Sequence, residues 1–89
     1  MISIKGKIYG KVQGVFFRKY AKEKARELKL KGIVKNEPDG TVYFEAEGEQ
    51  EKVEEFKEWC MKGSPGAKVA NVETVEVGLK HYKDFQIIY

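Results

Sequence analysis

The sequence predicts an α+β sandwich, the ferredoxin-like βαββαβ arrangement in which two helices lie on one face of an antiparallel sheet. Three observations lead there. Apolar residues alternate with polar ones in several segments and recur at helical spacing in two others. Those segments follow in the order strand, helix, strand, strand, helix, strand, with one short extra strand. Finally, 89 residues allow only one core, because a chain this short buries roughly two thirds of its unfolded surface. Residues 1–89 are therefore read as a single domain.

From Ile2 to Val12 the even positions are Ile2, Ile4, Gly6, Ile8, Gly10 and Val12, the period of a half-buried strand, and the glycines at 6 and 10 predict a close approach on that face. After "VQGVF", Phe17, Ala21, Ala25 and Leu28 recur on one helical face, with Lys19, Lys22, Glu23, Arg26 and Glu27 outside. "LKGIVKN" is β-prone, "EPDG" suits a tight reversal, and "TVYFEAEG" alternates with Val42, Phe44 and Ala46 inward. "EQEKVEEFKEWCMKG" opens with acids that suit a helix N-terminus and puts Val53, Phe56 and Cys60 on one face, until Gly63, Ser64, Pro65 and Gly66 stop it. In "AKVANVETVEV" the valines at 69, 72, 75 and 77 change phase once, which predicts a bulge, and "FQIIY" closes the chain as a short strand.

Composition narrows the function classes. No apolar run approaches the length of a membrane span, and "MISIKGKIYG" alternates where a signal peptide would be continuously apolar, so a cytoplasmic protein is expected. One cysteine, Cys60, and one histidine, His81, are too few for a structural zinc site, and no metal or cofactor is expected. Cys60 reads as a small buried apolar residue and His81 as a solvated loop residue. The net charge of +3 favours anionic ligands without demanding nucleic acid. Fifteen of the basic residues are lysine and only Arg18 and Arg26 are arginine, so an arginine invites a specific reason, such as a guanidinium fork matched to phosphate or carboxylate oxygens. Arg26 also reads as a helix surface residue, which leaves Arg18 as the candidate.

Arg18 ends the run "GKVQGVFFR". Where a chain leaves a strand near Val12 and enters a helix near Arg18, the intervening amides and the unpaired amides of the first helical turn can converge on an anion. Gly14 supplies the backbone freedom, Arg18 the fork, and Phe16 or Phe17 an anchor in the core. The run lacks the spacing and the GK[ST] ending of a nucleotide-binding P-loop. On its own it reads somewhat more readily as an ordinary strand-to-helix turn with a surface arginine. Asn36, ending a short strand before "EPDG", reads locally as a turn-favouring asparagine. In the expected fold its strand can lie beside the first, which would bring its amide towards the same turn.

Taken together, "GKVQGVFFR", "VKNEPDGTV", "WCMKGSPGAKV" and "FQI" resemble the acylphosphatase family along essentially the whole chain. The resemblance implies hydrolysis of the carboxyl-phosphate bond of an acyl phosphate to a carboxylate and inorganic phosphate, without a metal cofactor. It implies that Gln13, Gly14, Val15, Phe16 and Phe17, with Arg18, form a phosphate-binding loop, and that Asn36 positions the attacking water. The inventory agrees, since there is no Ser-His-Asp set and no Cys-His pair, while a carboxylate leaving group departs without a general acid. Glu37, close in sequence, is the one side chain to test as a base. The family pattern is broken at Lys29, where glycine often follows the first helix, at Ile33, which replaces a common aromatic, and at Ile88, which replaces a frequent arginine. The expected partners are a small acyl phosphate and product phosphate, with no nucleic acid and no membrane, and the protein is expected to be a monomer. The rival readings are a phosphate sensor without turnover and an RNA-binding sandwich, the latter disfavoured because Tyr43 stands among acids and offers little for base stacking.

Overall fold

The chain alternates between strands and helices wherever its apolar period changes from two to three or four. The computed structural model describes residues 1–89 as β1 (Ile2–Lys11), α1 (Phe17–Glu27), β2 (Lys31–Asn36), β3 (Val42–Gly48), α2 (Gln50–Lys62), β4 (Lys68–Val77) and β5 (Phe85–Ile88). The sheet order is β4-β1-β3-β2-β5. β1 pairs antiparallel with β3 and β4, β2 pairs antiparallel with β3, and the added β5 runs parallel to β2, so the sheet is mixed at that edge. No helix is long and apolar enough to cross a membrane.

One sequence expectation is corrected here. β2 does not lie beside β1. The crossover through α1 skips one strand position, and β3 fills it through the hairpin from β2, so Asn36 lies two strands from β1.

The core is the one the periodicities mark. Ile4 and Ile8 from β1, Val12 just after it, Val42, Phe44 and Ala46 from β3, Phe17, Ala21, Ala25 and Leu28 in or next to α1, and Val53, Phe56 and Cys60 from α2 are all buried. Phe56 meets Phe44 and Phe85 edge-on, at 5.4 and 5.7 Å between ring centroids, and thereby joins helix to sheet. Truncating such a buried ring typically costs about 3–5 kcal/mol. Gly6 lies under the Phe44 ring and Gly10 against the Lys68 carbonyl, the close approaches expected of both. The valine phase change in β4 is a bulge: Tyr9 pairs with Asn71 and Gly10 with Val69, leaving Ala70 over.

β4 and β5 lie at opposite edges, so residues 78–84 must cross the sheet, and they do so over the face that the helices leave open. Two buried carboxylates of β3 hold this strap. Glu47 accepts the backbone N–H groups of Lys80 (2.8 Å) and Tyr82 (3.0 Å). Glu45 accepts the Tyr82 and Tyr43 hydroxyls and pairs with the Lys80 ammonium at 2.8 Å. Burial pushes the Glu45 carboxyl up, but those donors outweigh it and hold it below its ordinary value. The Tyr43 and Tyr82 hydroxyls and the Lys80 ammonium on this face are thus engaged internally.

α1 ends in a Schellman motif, in which the Leu30 N–H bonds the Ala25 carbonyl at 2.8 Å and the Lys29 N–H bonds that of Arg26 at 3.0 Å. The motif needs a left-handed residue, and Lys29 supplies it at φ 61. A side chain there costs about 1–2 kcal/mol, partly offset because glycine would enlarge the unfolded ensemble. Lys29→Gly is therefore expected to raise the unfolding free energy by about 0.5–1 kcal/mol in urea titrations. A loss of stability would contradict the assignment of strain to this cap.

Candidate functional site

Val12, fully buried, ends the apolar row of β1, and the chain then turns into α1 within four residues. Gly14 stands at φ 76 with open space around it, and Phe16 stands at φ 57 and ψ 26. Phe17, the first helical residue, is buried against Trp59 with ring centroids 5.3 Å apart, so it is the anchor, while Phe16 is 75% exposed. Ser64, beyond the end of α2, donates from its hydroxyl to the Val15 carbonyl at 3.2 Å and ties the middle of the turn down.

This helix start is left open. No side chain caps it and no acidic residue occupies its first turn. The amides of Gln13, Gly14, Val15 and Phe16 have no backbone acceptor, and those of the first helical turn have none by construction. The positive end of the helix dipole adds to the same concavity.

Arg18 stands on that first turn. With Val12, Gly14, Phe16, Phe17, Lys19, Asn36, Ile87 and Tyr89 it lines a cavity of about 430 Å³. The ion pairs of the protein engage Lys7, Lys24, Arg26 and Lys80, and not Arg18. Its guanidinium instead lies 5.0 Å from the centroid of the Tyr89 ring, a contact that leaves its charge unneutralised. The two arginines are thus divided in use, because Arg26 pairs with Asp84 at 2.8 Å and ties α1 to the segment before β5.

Asn36 reaches the same cavity although its strand is not adjacent to β1. The link is Gln13, whose side-chain amide donates to the carbonyls of Glu37 and Thr41, both at 2.8 Å. Those carbonyls belong to the turn that follows Asn36. The turn is itself braced, with Asp39 accepting the Thr41 N–H and hydroxyl and pairing with Lys7 at 2.9 Å. The Thr41 and Lys7 donors hold the Asp39 carboxyl well below the ordinary range.

Of the expected loop residues, Gly14, Phe16 and Phe17 line the cavity with Arg18 and Asn36, whereas Gln13 and Val15 do not. The side chain of Gln13 is committed to the β2–β3 turn, and the carbonyl of Val15 to Ser64. Glu37 lines a different cavity on the far face of the sheet, with Lys5, Lys7 and Glu73, and so is no base for this site. The sequence reading missed Lys19, Ile87 and Tyr89. Lys19 was legible from its place one residue after Arg18, but nothing in the sequence marked Tyr89. No carboxylate, imidazole or thiol side chain lines the cavity. Burial pushes the Cys60 thiol far up, which suits an inert core residue.

Comparison with known proteins bears on this geometry. The acylphosphatase family model matches residues 4–87. The acylphosphatase of Archaeoglobus fulgidus is 40% identical over 89 residues, which is the whole of both chains. Acylphosphatase-1 of Gallus gallus is 40% identical over 91 aligned positions, covering 98% of this chain and 92% of that one. The crystal structure of acylphosphatase from Bacillus subtilis superposes over all of both chains with a TM-score of 0.97 at 37% identity.

The Gln13 bridge is testable without any ligand. Gln13→Ala removes donors from two part-buried carbonyls and is expected to cost about 1–2 kcal/mol of stability. Gln13→Glu turns a carboxylate onto the same oxygens and is expected to cost more than alanine at neutral pH. Its native pKa would be raised, so the deficit relative to the parent at each pH should shrink as pH falls through that value. Equal stability of Gln13→Glu and the parent in denaturant titrations would contradict the bridge.

Proposed function

The chain belongs to the acylphosphatase family, and on that premise we propose how its own residues divide the hydrolysis of an acyl phosphate among themselves. The family acts on small acyl phosphates, and this protein is a hydrolase of that kind. The observation that carries the division of labour is a single cavity lined by an uncapped helix start, an arginine outside every ion pair, and an asparagine from the opposite side of the fold.

The phosphoryl oxygens lie against the amides of the 13–17 turn and the first turn of α1, and the Arg18 fork takes two of them. Asn36, which can donate and accept, holds a water on the side of the phosphorus away from the acyl group. The water oxygen attacks, the bond between phosphorus and the acyl oxygen breaks, and the carboxylate leaves with the electron pair. The proton of the water passes to the phosphate, since no carboxylate or imidazole side chain lines the cavity to take it. Fixed amide donors and the guanidinium stabilise the charge as it shifts, and orientation contributes the remainder. The reaction as proposed needs no metal ion, nucleic acid, membrane or second chain, and the cytoplasm suits a protein with one unpaired cysteine.

Turnover of benzoyl phosphate in excess EDTA, with inorganic phosphate as a competitor, tests the proposal. The parent is expected to hydrolyse it and to be inhibited competitively. Arg18→Lys keeps the charge and loses the fork, so kcat/KM and phosphate inhibition are both expected to fall by at least about a hundredfold. Asn36→Ala should instead lower kcat with nearly unchanged KM, because it acts on the chemical step. Arg26→Ala is the control and should stay near the parent. Near-normal kinetics in Arg18→Lys would overturn the cradle assignment, and a proportional loss of substrate affinity in Asn36→Ala would make that residue a binding group.

A further inference from the structure

The left-handed backbone of Phe16 is not required by the helix it begins. Its carbonyl accepts the Tyr20 N–H at 3.1 Å, an ordinary first bond of α1 that needs no positive φ. What φ 57 at Phe16 does set is the turn of the preceding peptide plane, between Val15 and Phe16. A bulky L residue holds such an angle only at a cost, and strain of this kind persists only where the surroundings impose it.

The group that imposes it is the Ser64 hydroxyl, which donates to the Val15 carbonyl at 3.2 Å. Ser64 is buried, and its own backbone is fixed on both sides. Before it stands Gly63 at φ 81, where a Cβ would come within 2.9 Å of the Val69 side chain and 3.4 Å of the Phe17 ring. After it, the Ala67 N–H bonds the Ser64 carbonyl at 3.0 Å. Every peptide bond in the chain is trans, so the carbonyl and the N–H of one plane point in opposite directions. Neither Val15 nor Ser64 lines the cavity, whereas Phe16 does. With the Val15 carbonyl held on the Ser64 side, the Phe16 N–H is aimed at the cavity, and it has no backbone acceptor.

Resting on the reading of this cavity as a phosphoryl cradle, we propose that Ser64 is a positioning residue whose hydroxyl keeps the Val15–Phe16 peptide turned with its N–H towards the phosphoryl group. Turned about, the same plane would return Phe16 to negative φ and relieve its strain, but it would put a carbonyl oxygen where the anion needs a donor. Loss of the hydroxyl therefore populates the reversed plane. The apparent affinity for any phosphoryl ligand then falls by the fraction of molecules still in the receptive orientation. A bound ligand selects that orientation, so the chemical step proceeds from the same complex as before.

The test is KM and kcat for benzoyl phosphate, with the inhibition constant of inorganic phosphate, in Ser64→Ala, Phe16→Gly and the double variant, with circular dichroism giving the folded fraction of each. In Ser64→Ala, KM and the inhibition constant should rise by one common factor, roughly tenfold from the strain released at Phe16, with kcat nearly unchanged. Glycine adopts both orientations about equally, so in the Phe16→Gly background the same Ser64→Ala change should raise both constants only about twofold. Constants that stay at the parent values in folded Ser64→Ala overturn the proposal. So does a rise of equal size in both backgrounds, which would mean that Ser64 acts otherwise than through this plane, and so does a fall in kcat at constant KM. If the unaltered protein neither hydrolyses benzoyl phosphate nor binds phosphate, the cradle itself fails, and the role of Ser64 with it.

Discussion

Two hydrogen bonds from one side-chain amide hold together the halves of this site. The turn between β1 and α1 carries the free amides and Arg18, and the turn after β2 begins at Asn36. β3 lies between the two strands and spaces them through two ladders, Val42 pairing with both Ile8 and Asn36, but the turns beyond those pairs share no ladder. Gln13 joins the turns, donating at 2.8 Å to the carbonyls of Glu37 and Thr41. A carboxylate there would repel both acceptors, and a shorter side chain would not span the gap. The Asp39 bonds to Thr41 and its pair with Lys7 stiffen the far anchor, while Phe17 and Ser64 stiffen the near one. An in-line displacement needs its nucleophile and its phosphoryl group placed independently of any covalent step, and this brace connects the groups assigned to each.

The second constraint is what the start of α1 gives up. Helices are ordinarily stabilised by a capping side chain and by acids in the first turn, each worth some tenths to more than one kcal/mol. α1 has neither, and its N-cap is a phenylalanine in the left-handed region. Stability is made up elsewhere, in the Phe56 cluster and in the strap that Glu45 and Glu47 hold across the sheet. The outcome is a set of donors left open to an anion. Because a carboxylate is a good leaving group, such donors and a placed water suffice for the reaction as proposed, and the cavity's lack of a carboxylate or imidazole side chain is consistent with it.

Much of the fold was legible because it depends on periodicity. Phe17, Ala21, Ala25 and Leu28 mark one helical face, Val42, Phe44 and Ala46 one sheet face, and the valines of β4 mark a bulge where their phase slips. Lys29 at a left-handed cap and Arg18 with Asn36 in one cavity were likewise foreseeable from motif positions. What could not be read depends on where a side chain goes once strands are paired. The insertion of β3 between β1 and β2 depends on which strand of the hairpin meets β1, and the local pattern does not encode that. Gln13 looked like part of the anion loop because its backbone belongs to the same turn, and only its bonds to the neighbouring turn show a different use for its side-chain amide. Glu45 and Glu47 alternate like exposed strand residues until the strap buries them, and Glu37, next to Asn36 in sequence, points to the opposite face.

The central claim is that the amides at the start of α1, together with Arg18, receive the phosphoryl group. Titrating isotope-labelled protein with inorganic phosphate and following amide resonances by NMR tests it residue by residue. The account predicts that the amides of Gly14 to Lys19 and the Arg18 guanidinium shift together and saturate with one dissociation constant, equal to the constant for competitive inhibition. Shifts concentrated instead on the lysine-bearing far face, around Lys5, Lys7 and Lys35, with the Gly14 to Lys19 amides unmoved, would contradict it.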